Sequence, residues 1–181
     1  MKLPEKIIFF DTETTGITSS DEILSLAIVD QSGKVLFNEL IRPSRKKKWP
    51  DAARVNHITP DAVKNRPTFR FFREQVQEIF DQAQLVVGYN VDFDLAFIKN
   101  KGVHYSGAVA DVMVDFSKIY GEWSDYFENY KWQKLTTCAR YYGYDWGQTA
   151  AHDALADTLA TRFCFYKVWD ATDGNMEIYT V

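Results

Sequence analysis

Short apolar runs separated by turn residues dominate the first part of the chain. Residues 7–10 form one such run, and the apolar stretches 22–30 and 34–41 flank the break Gln31-Ser32-Gly33. Runs of this length between turn residues are typical of strands, and the break at 31–33 predicts a hairpin. The pattern therefore predicts three neighbouring antiparallel strands at the start of the chain.

The remainder of the chain predicts alternating strands and helices. Residues 85–88 and 108–110 are short apolar runs that predict two more buried strands, and 51–64 predicts short helices and turns. Longer helices are predicted to begin at Pro67-Thr68 and to cover 92–100, 111–120, 134–142 and 153–169. A hairpin-bearing sheet followed by this alternation predicts an α/β fold with helices on both faces.

Length and charge limit the class of protein. The 181 residues suit one domain, with a core at about 6–169 and a C-terminal tail at 170–181. A hydrophobic content of 46% excludes a disordered chain. The formal charge of −4 argues against bulk attraction to nucleic-acid phosphates, though not against contact through bound metal ions.

Cysteine usage and the lack of long apolar runs indicate the compartment. Cys138 and Cys164 lie far apart in the sequence and form no Cys-x-x-Cys, which favours free thiols in a reducing environment. No run is long enough for a signal sequence or a membrane span. We therefore expect a cytoplasmic protein without a membrane partner.

Two carboxylates at the end of the first strand are the main candidates for chemistry. Alternation along a strand places Asp11 and Glu13 on one side and Thr12 on the other. Such a pair needs a cation, a proton or an arginine, unless it is simply solvated. In α/β sheets, sites gather at the carboxyl ends of strands, and this rule adds residues 90–94, which follow the strand at 85–88.

Three segments resemble the motifs of the DEDD exonucleases. Residues 7–16, Ile-Ile-Phe-Phe-Asp-Thr-Glu-Thr-Thr-Gly, are similar to the first motif, and 88–94, Gly-Tyr-Asn-Val-Asp-Phe-Asp, to the second. Residues 152–157, His-Asp-Ala-Leu-Ala-Asp, resemble the His-x4-Asp of the DEDDh branch. This family includes the epsilon subunit of bacterial DNA polymerase III and ribonuclease T. One motif alone is weak, but three in order over residues 6–168 are specific.

The resemblance implies a ribonuclease H-like fold with a mixed five-stranded sheet. It also implies a metal-dependent 3′→5′ exonuclease that releases nucleoside 5′-monophosphates from single-stranded ends. The matching positions imply that Asp11, Glu13, Asp94 and Asp157 hold two divalent ions, Mg²⁺ or Mn²⁺, with His152 as the general base. Carboxylates suit such hard cations, and histidine takes up protons near neutral pH.

The spacing of the third motif predicts where its histidine lies. Residues five apart on a helix differ by about 140°, so His152 and Asp157 would not share a helix face. We therefore expect His152 on the preceding loop, Asp153 near the N-cap and Asp157 inside the helix. On this interpretation His152 stands apart from the metals.

The resemblance also implies substrate contacts, with some departures from the family. Residues implied to contact the 3′-terminal nucleotide are Thr14, Gly16, Ile17, Val55 and Asn90. Tyr89 replaces a frequent histidine, Asn56-His57 replaces a frequent His-Gly, and Val112 replaces a frequent Thr after Asp111, which is usually structural. The departure at Asn56-His57 bears on the preference for base or sugar, because that segment lines the terminal-nucleotide pocket in relatives.

Two further clusters and one histidine have alternative interpretations. The basic cluster Arg42, Arg45, Lys46, Lys47 and Lys48 could contact a nucleic-acid backbone, but a solvated loop or sheet edge is favoured. The aromatic cluster Tyr120, Trp123, Tyr126, Phe127, Tyr130 and Trp132 could stack on bases, but packing against the sheet is favoured. His104 is expected to be a surface residue.

Other functions remain open at this stage. The partners expected are 3′ ends of single-stranded DNA or RNA, and the choice between a stand-alone enzyme, a proofreading subunit of a polymerase and a ribonuclease T-like RNA trimming enzyme is open. The short tail favours a stand-alone enzyme. A haloacid dehalogenase-type phosphatase is disfavoured because Glu13 stands where that family has Asp, and an inactive binding module because all five catalytic positions are filled.

Overall fold

The computed structural model describes residues 2–147 and 152–181 and is built on a six-stranded mixed sheet. The strands are β1 (Ile7–Thr14), β2 (Ile23–Asp30), β3 (Val35–Leu40), β4 (Leu85–Gly88), β5 (Ala108–Asp111), β6 (Trp123–Ser124), β7 (Asn129–Tyr130) and β8 (Ile178–Thr180). The helices are α1 (Pro50–Asn56), α2 (Pro60–Val63), α3 (Phe69–Gln82), α4 (Val91–Lys99), α5 (Val112–Tyr120), α6 (Leu135–Tyr141) and α7 (Ala154–Ala171). The sheet order is β3-β2-β1-β4-β5-β8, and β6 and β7 form a separate hairpin.

The first strand lies inside the sheet and separates two apolar layers. β1 pairs antiparallel with β2 and parallel with β4, so the predicted antiparallel start of the chain is confirmed. Ile8 and Phe10 contribute to one apolar cluster, while Ile7 and Phe9 contribute to the other, and all four are buried. Each such side chain stabilises the fold by about 1.5–3 kcal/mol relative to exposure. The apolar run that predicted this strand therefore fills both layers.

Helices cover both faces of the sheet, as predicted. α3 and α4 supply Phe72, Phe80 and Phe97 to the first layer. α5, α6 and α7 supply Phe116, Cys138 and Phe165 to the second. The α/β class and the helices on both faces are thus confirmed.

The tail supplies a strand that the sequence did not predict. β8 pairs antiparallel with β5, with Ala110 opposite Ile178, so the expected number of five strands is wrong by one. The backbone N–H of Glu177 donates to Asp115 Oδ2 at 3.0 Å, and Lys118 Nζ lies 2.6 Å from a carboxylate oxygen of Glu177. A strand of three residues is too short to show a clear alternation of apolar and polar positions. Its place at the edge of the sheet depends instead on these tertiary contacts.

Most of the aromatic cluster is exposed, which corrects the prediction that it packs against the sheet. The exposed members are Tyr120, Trp123, Tyr126, Phe127 and Trp132, with Tyr126 88% exposed. The β6–β7 hairpin is too short to cover the sheet, and its rings pack on one another instead. Trp123 lies 5.3 Å from Tyr130 between ring centroids, and Tyr126 lies 4.8 Å from Phe127.

The cysteines and the helices bear on the chain's expected surroundings. Cys138 and Cys164 are free, as expected, and both are buried. Over the two described ranges, no helix combines the length and the apolar character needed to cross a membrane.

A candidate metal-binding active site

The carboxyl ends of three parallel strands meet at one edge of the sheet. β4 pairs with β1 through Phe9 and Val87, and with β5 through Gly88 and Asp111. α4 begins directly beyond β4 and α5 directly beyond β5. Polar residues that follow these strands are therefore neighbours in space.

Four carboxylates come together at this edge, as the motifs implied. Asp11 and Glu13 lie on β1, while Asp94 and Asp157 lie in the first turns of α4 and α7. Asp11 interacts electrostatically with the other three carboxylates. Because α4 and α7 pack on opposite faces of the sheet, the cluster straddles the end of β1.

Thr12 fixes the position of Asp94. The backbone N–H of Thr12 donates to Asp94 Oδ1 at 3.0 Å, and the Thr12 hydroxyl donates to the same oxygen. Both residues are buried. Thr12, whose side chain points away from Asp11, thus holds the carboxylate of Asp94 on the other face of the sheet. The sequence pattern had indicated no role for Thr12.

Asp111 orients the start of α4 and stays outside the cluster of four. Its carboxylate accepts hydrogen bonds from the backbone N–H groups of Asn90, Val91 and Met113 at 2.9–3.1 Å. Asn90 adopts a left-handed conformation with φ 64°. These bonds set the direction in which α4 leaves β4 and hence where Asp94 lies. The structural role implied for Asp111 matches these contacts.

The third motif forms a loop followed by a capped helix. The Asp153 side chain accepts from the N–H of Ala156 at 3.0 Å as the N-cap of α7. His152 precedes it with φ 73°, and its backbone N–H donates to Asp157 Oδ2 at 3.1 Å. The predicted loop position of His152, the cap at Asp153 and the helical position of Asp157 are confirmed.

His152 lies nearer the carboxylates than the spacing argument indicated. A ring nitrogen of His152 and carboxylate oxygens of Glu13 and Asp157 all lie within 4.8 Å of one another. The expectation that His152 stands apart from this group is wrong: the backbone of His152 is left-handed, with φ 73°, and its exposed side chain lies near Glu13 of β1. Helical geometry excluded a shared helix face but did not describe the loop.

Burial raises the pKa of every carboxyl group in the cluster and is the largest cause for all four. Repulsion by neighbouring carboxylates adds to it, and these neighbours are mainly other members of the cluster for Asp11 and Glu13, but Asp111 for Asp94 and Asp153 for Asp157. The pKa of Asp11 lies well above its usual value, and that of Glu13 rises to about 8. The pKa of Asp94 rises to about 7 and that of Asp157 to about 6, although local hydrogen bonds oppose both shifts.

The donor set fits a divalent cation. Among the residues that the structure describes, Oδ1 of Asp157 is a buried carboxylate oxygen without a hydrogen-bond partner. Glu13 and His152 place further ligand atoms within 4.8 Å of an Asp157 oxygen. Carboxylate oxygens are the ligands that Mg²⁺ and Mn²⁺ prefer, and a cation would relieve the repulsion that raises the pKa values.

An open cleft of about 660 Å³ is lined in part by Glu13. Four residues implied to contact substrate line it: Thr14, Gly16, Ile17 and Val55. Ile17 is 85% exposed and Val55 49% exposed. The fifth, Asn90, is exposed at the start of α4 and does not line this cleft. Phe93 lines it as well, although sequence reasoning had not assigned it to substrate, and so does Asn56, which belongs to the segment that the resemblance implied to line the nucleotide pocket.

The loop after β1 folds around Asp21. The Asp21 carboxylate accepts from the Thr15 hydroxyl at 2.8 Å and from the N–H of Thr18 at 3.0 Å. A Cβ added at Gly16 would lie 2.7 Å from this carboxylate. Glycine at position 16 therefore permits the close approach that presents Ile17 at the cleft.

Asn56 and His57 show how their segment supports the cleft. Asn56 is buried, and its Nδ2 donates to the carbonyl oxygen of Thr14 at 3.1 Å while its Oδ1 accepts from the N–H of Ile58. His57 ends α1 with φ 59°, a conformation that favours glycine. The segment thus braces the strand end that carries Glu13.

Tyr89, which replaces a frequent histidine, has a packing role. Its hydroxyl donates to the carbonyl oxygen of Gln133 at 2.8 Å, and its ring packs against the second apolar layer. Tyr89 therefore links the segment after the β6–β7 hairpin to the end of β4.

Comparison with known proteins decides the family. The sequence profile of the ribonuclease T-type exonuclease family matches residues 8–162. This chain belongs to that exonuclease family. An uncharacterized exonuclease of Escherichia phage 186 is 31% identical over 170 residues, which cover 88% of this chain and 86% of the phage protein. The motifs and these matches identify an exonuclease-family enzyme of the DEDDh type.

A longer relative matches most of this chain, and two solved structures share its fold. A DNA polymerase III subunit epsilon-like protein of Rhodobacter capsulatus is 29% identical over 91% of this chain, but the match spans only 24% of that protein. Exonuclease X in complex with 5′-overhanging duplex DNA shares the fold with a TM-score of 0.69 and 21% identity, covering 92% of this chain and 93% of that one. The Mg²⁺- and Mn²⁺-bound form of S. pombe Pop2p gives 0.71 and 12%, covering 94% and 86%.

Proposed function

We propose that this exonuclease digests single-stranded nucleic acid from the 3′ end and releases nucleoside 5′-monophosphates. The observation that carries the proposal is the cluster of four carboxylates beside an open cleft, which shares Glu13 with the cluster. Asp157 brings a buried, unpartnered oxygen to this cluster, and Glu13 belongs both to the cluster and to the cleft wall.

Asp11, Glu13, Asp94 and Asp157 would hold two divalent ions. Such ions, when bound, supply activation of the attacking water and charge stabilisation at the leaving 3′ oxygen. The chain's own contribution is the arrangement of these ligands, which Thr12 fixes at Asp94 and the N–H of His152 fixes at Asp157. Such supporting contacts orient ligands and tune their affinity.

His152 would act as the general base that takes the proton of the attacking water. Its exposed side chain lies on a loop, and a ring nitrogen reaches within 4.8 Å of ligand oxygens of Glu13 and Asp157. A histidine is suited to accept a proton near neutral pH. Its exposure leaves room for the substrate strand to lie beside it.

The cleft would hold the 3′-terminal nucleotide. Ile17 is exposed at the tip of the ordered loop after β1, where its side chain can pack against a base. The backbone at Thr14 and Gly16 lies beside Glu13 and can meet a 3′ hydroxyl group at close range. A single strand is favoured because the terminal base must leave its partner to pack against Ile17.

Digestion of labelled strands tests the proposal. DNA and RNA strands labelled at the 5′ end are incubated side by side with Mg²⁺ and with EDTA. The proposal predicts a Mg²⁺-dependent ladder that shortens from the 3′ end, and it predicts that a 3′-phosphate blocks digestion by filling the place of the hydroxyl. Shortening from the 5′ end, or cuts in a circular single strand, would contradict it.

A further inference from the structure

The loop that connects β3 to α1 lies beside the cleft and carries five basic residues between positions 42 and 48. We call residues 42–48 the basic loop. Glu13 of β1 and Leu40 of β3 both pair with Ser25 of β2, so the loop leaves β3 at the level of the acidic cluster. The basic loop is thus a local cluster of positive charge near the cleft, although the formal charge of the whole chain is −4.

A buried glutamate anchors the basic loop. Glu22 is fully buried, and its carboxylate accepts hydrogen bonds from the backbone N–H groups of Ser44, Arg45 and Lys46 at 2.8–3.0 Å. Lys101 Nζ completes the arrangement at 3.1 Å. Three N–H groups on one carboxylate fix the loop backbone, so its side chains leave from defined positions.

The basic side chains of the loop differ in whether they line the cleft. Lys46 and Lys48 line the cleft, whereas the exposed Arg45 and Lys47 do not. Lys46 is held by Asp21, with Nζ 2.6 Å from a carboxylate oxygen. Lys48 is exposed and forms no ion pair with any acidic residue of the described chain.

The acidic residue nearest in sequence does not neutralise Lys48. Asp51 also lines the cleft, but its carboxylate lies 3.1 Å from a guanidinium nitrogen of Arg54. Lys48 therefore lines the cleft and carries an ammonium group that no acidic side chain of the described residues neutralises. An anionic strand that approaches four carboxylates is repelled, and a cation along its path offsets that repulsion.

We propose that Lys48 binds a backbone phosphate of the strand in the cleft, on the 5′ side of the terminal nucleotide, with Glu22 as the residue that positions the loop. The proposal rests on the proposed function and adds to it a contact that grips the strand away from the reacting bond. Phosphodiesters are common to DNA and RNA, so the contact serves both.

A matched pair of lysine substitutions tests this contact. Lys48→Gln and Lys47→Gln remove the same charge from adjacent exposed positions, and only Lys48 lines the cleft. Each is combined with Asp11→Asn to prevent digestion, and binding of a fluorescent single-stranded dodecamer is measured across a salt series. One phosphate contact on a single strand contributes about 0.7 to the slope of log affinity against log salt.

The expected result separates the two variants. Lys48→Gln lowers the slope by about 0.7 and weakens binding roughly five-fold at about 0.1 M salt, equally for DNA and RNA, while Lys47→Gln changes the slope little. Provided that the Asp11→Asn protein binds the strand, equal effects of the two lysine substitutions, or no effect of either, overturn the proposal. An effect confined to DNA or to RNA also overturns it, because the contact then depends on the sugar.

The outcome for the proposed function is read independently. If the protein with native Asp11 digests no strand and the Asp11→Asn protein binds none, the proposed function fails, and the phosphate contact fails with it. If digestion occurs and the lysine variants behave alike, only the phosphate contact fails. Circular dichroism of the two variants confirms that both remain folded, as expected for exposed side chains.

Discussion

Thr12 donates two hydrogen bonds to one oxygen of Asp94, although the two residues are 82 positions apart in the chain. The contact joins the end of β1 to the first turn of α4, so it links the two elements that carry three of the four clustered carboxylates. It also leaves Asp94 with a fixed orientation beside Asp11. The site is therefore organised by a residue that itself offers no ligand to a metal.

Replacement of Thr12 tests this link. Thr12→Val keeps the shape of the side chain but removes the hydroxyl donor, so Asp94 loses one of its two bonds from Thr12. We expect the affinity for Mn²⁺ and the turnover to fall about 10–100-fold, the range for losing a partner of a metal ligand. Thr12→Ser retains the hydroxyl and is expected to stay close to the native protein. Equal behaviour of the two variants in a Mn²⁺ titration would show that the hydroxyl has no such role.

The raised pKa values predict an unusual pH dependence of stability without metal. A carboxyl group whose pKa is higher in the folded state stabilises the fold at low pH, and this contribution is lost as pH rises through the folded pKa. The loss therefore runs from the unfolded values of 3.8 for Asp and 4.5 for Glu up to the folded values of about 6, 7 and 8 for Asp157, Asp94 and Glu13, and most of it falls between about pH 5 and pH 8.

Thermal melting in EDTA from about pH 5 to about pH 8 measures this effect. We expect the melting temperature to fall over this range, and Mn²⁺ to reverse most of the fall because it binds the folded form. Asp11→Asn removes one of the repelling charges and should reduce the fall. A melting temperature in EDTA that rises steadily from pH 5 to pH 8 would contradict the electrostatic account of the cluster.

The lowered pKa of Glu22 predicts the opposite pH dependence, a stability of the fold that decreases as pH falls. Burial alone would raise its pKa, but the N–H groups of Lys46, Arg45 and Ser44, together with Lys101, outweigh burial and lower it to about 2. A lowered pKa gives stability that is present above the unfolded value of 4.5 and lost as pH falls toward 2. The shift corresponds to about 3 kcal/mol.

Glu22→Gln measures this contribution. We expect the variant to unfold with a free energy about 3 kcal/mol lower near pH 7, with the difference narrowing below about pH 4 as the native carboxylate takes up its proton. Glu39→Gln, at an exposed position on β3, is the matched control and should change little. Urea unfolding at several pH values gives both free energies, and a difference that is constant with pH would count against the ionised anchor.

Local patterns predicted the parts of the fold and site that depend on neighbouring residues. The strand at 7–10, the hairpin at 31–33 and the cap at Asp153 follow from periodicity and turn chemistry, and the structure has all three. Contacts between distant segments were not predictable in this way. The bonds of Thr12 to Asp94 and the pairing of β8 with β5 depend on how remote segments meet, and the exposed hairpin depends on how few residues its strands contain.

Replacement of His152 separates proton transfer from metal binding. His152→Ala is expected to fold, to keep the rise in melting temperature with Mn²⁺, and to lose about 10²–10⁴-fold in turnover, the range for a general base. His104→Ala removes another exposed histidine and should leave turnover unchanged. Loss of the Mn²⁺ response in His152→Ala would instead show that His152 is a metal ligand. The geometry allows this role, because a ring nitrogen of His152 lies within 4.8 Å of carboxylate oxygens of Glu13 and Asp157.

The central claim is that the four clustered carboxylates bind divalent ions, and counting bound Mn²⁺ tests it most directly. Calorimetric titration with Mn²⁺ is performed in the presence of a nucleoside 5′-monophosphate, which would supply a phosphate ligand to the bound ions. The account predicts two ions bound to the native protein and at least one lost in Asp11→Asn, the carboxylate that interacts with the other three. No bound Mn²⁺ at millimolar concentration, or the same binding in Asp11→Asn as in the native protein, would contradict it.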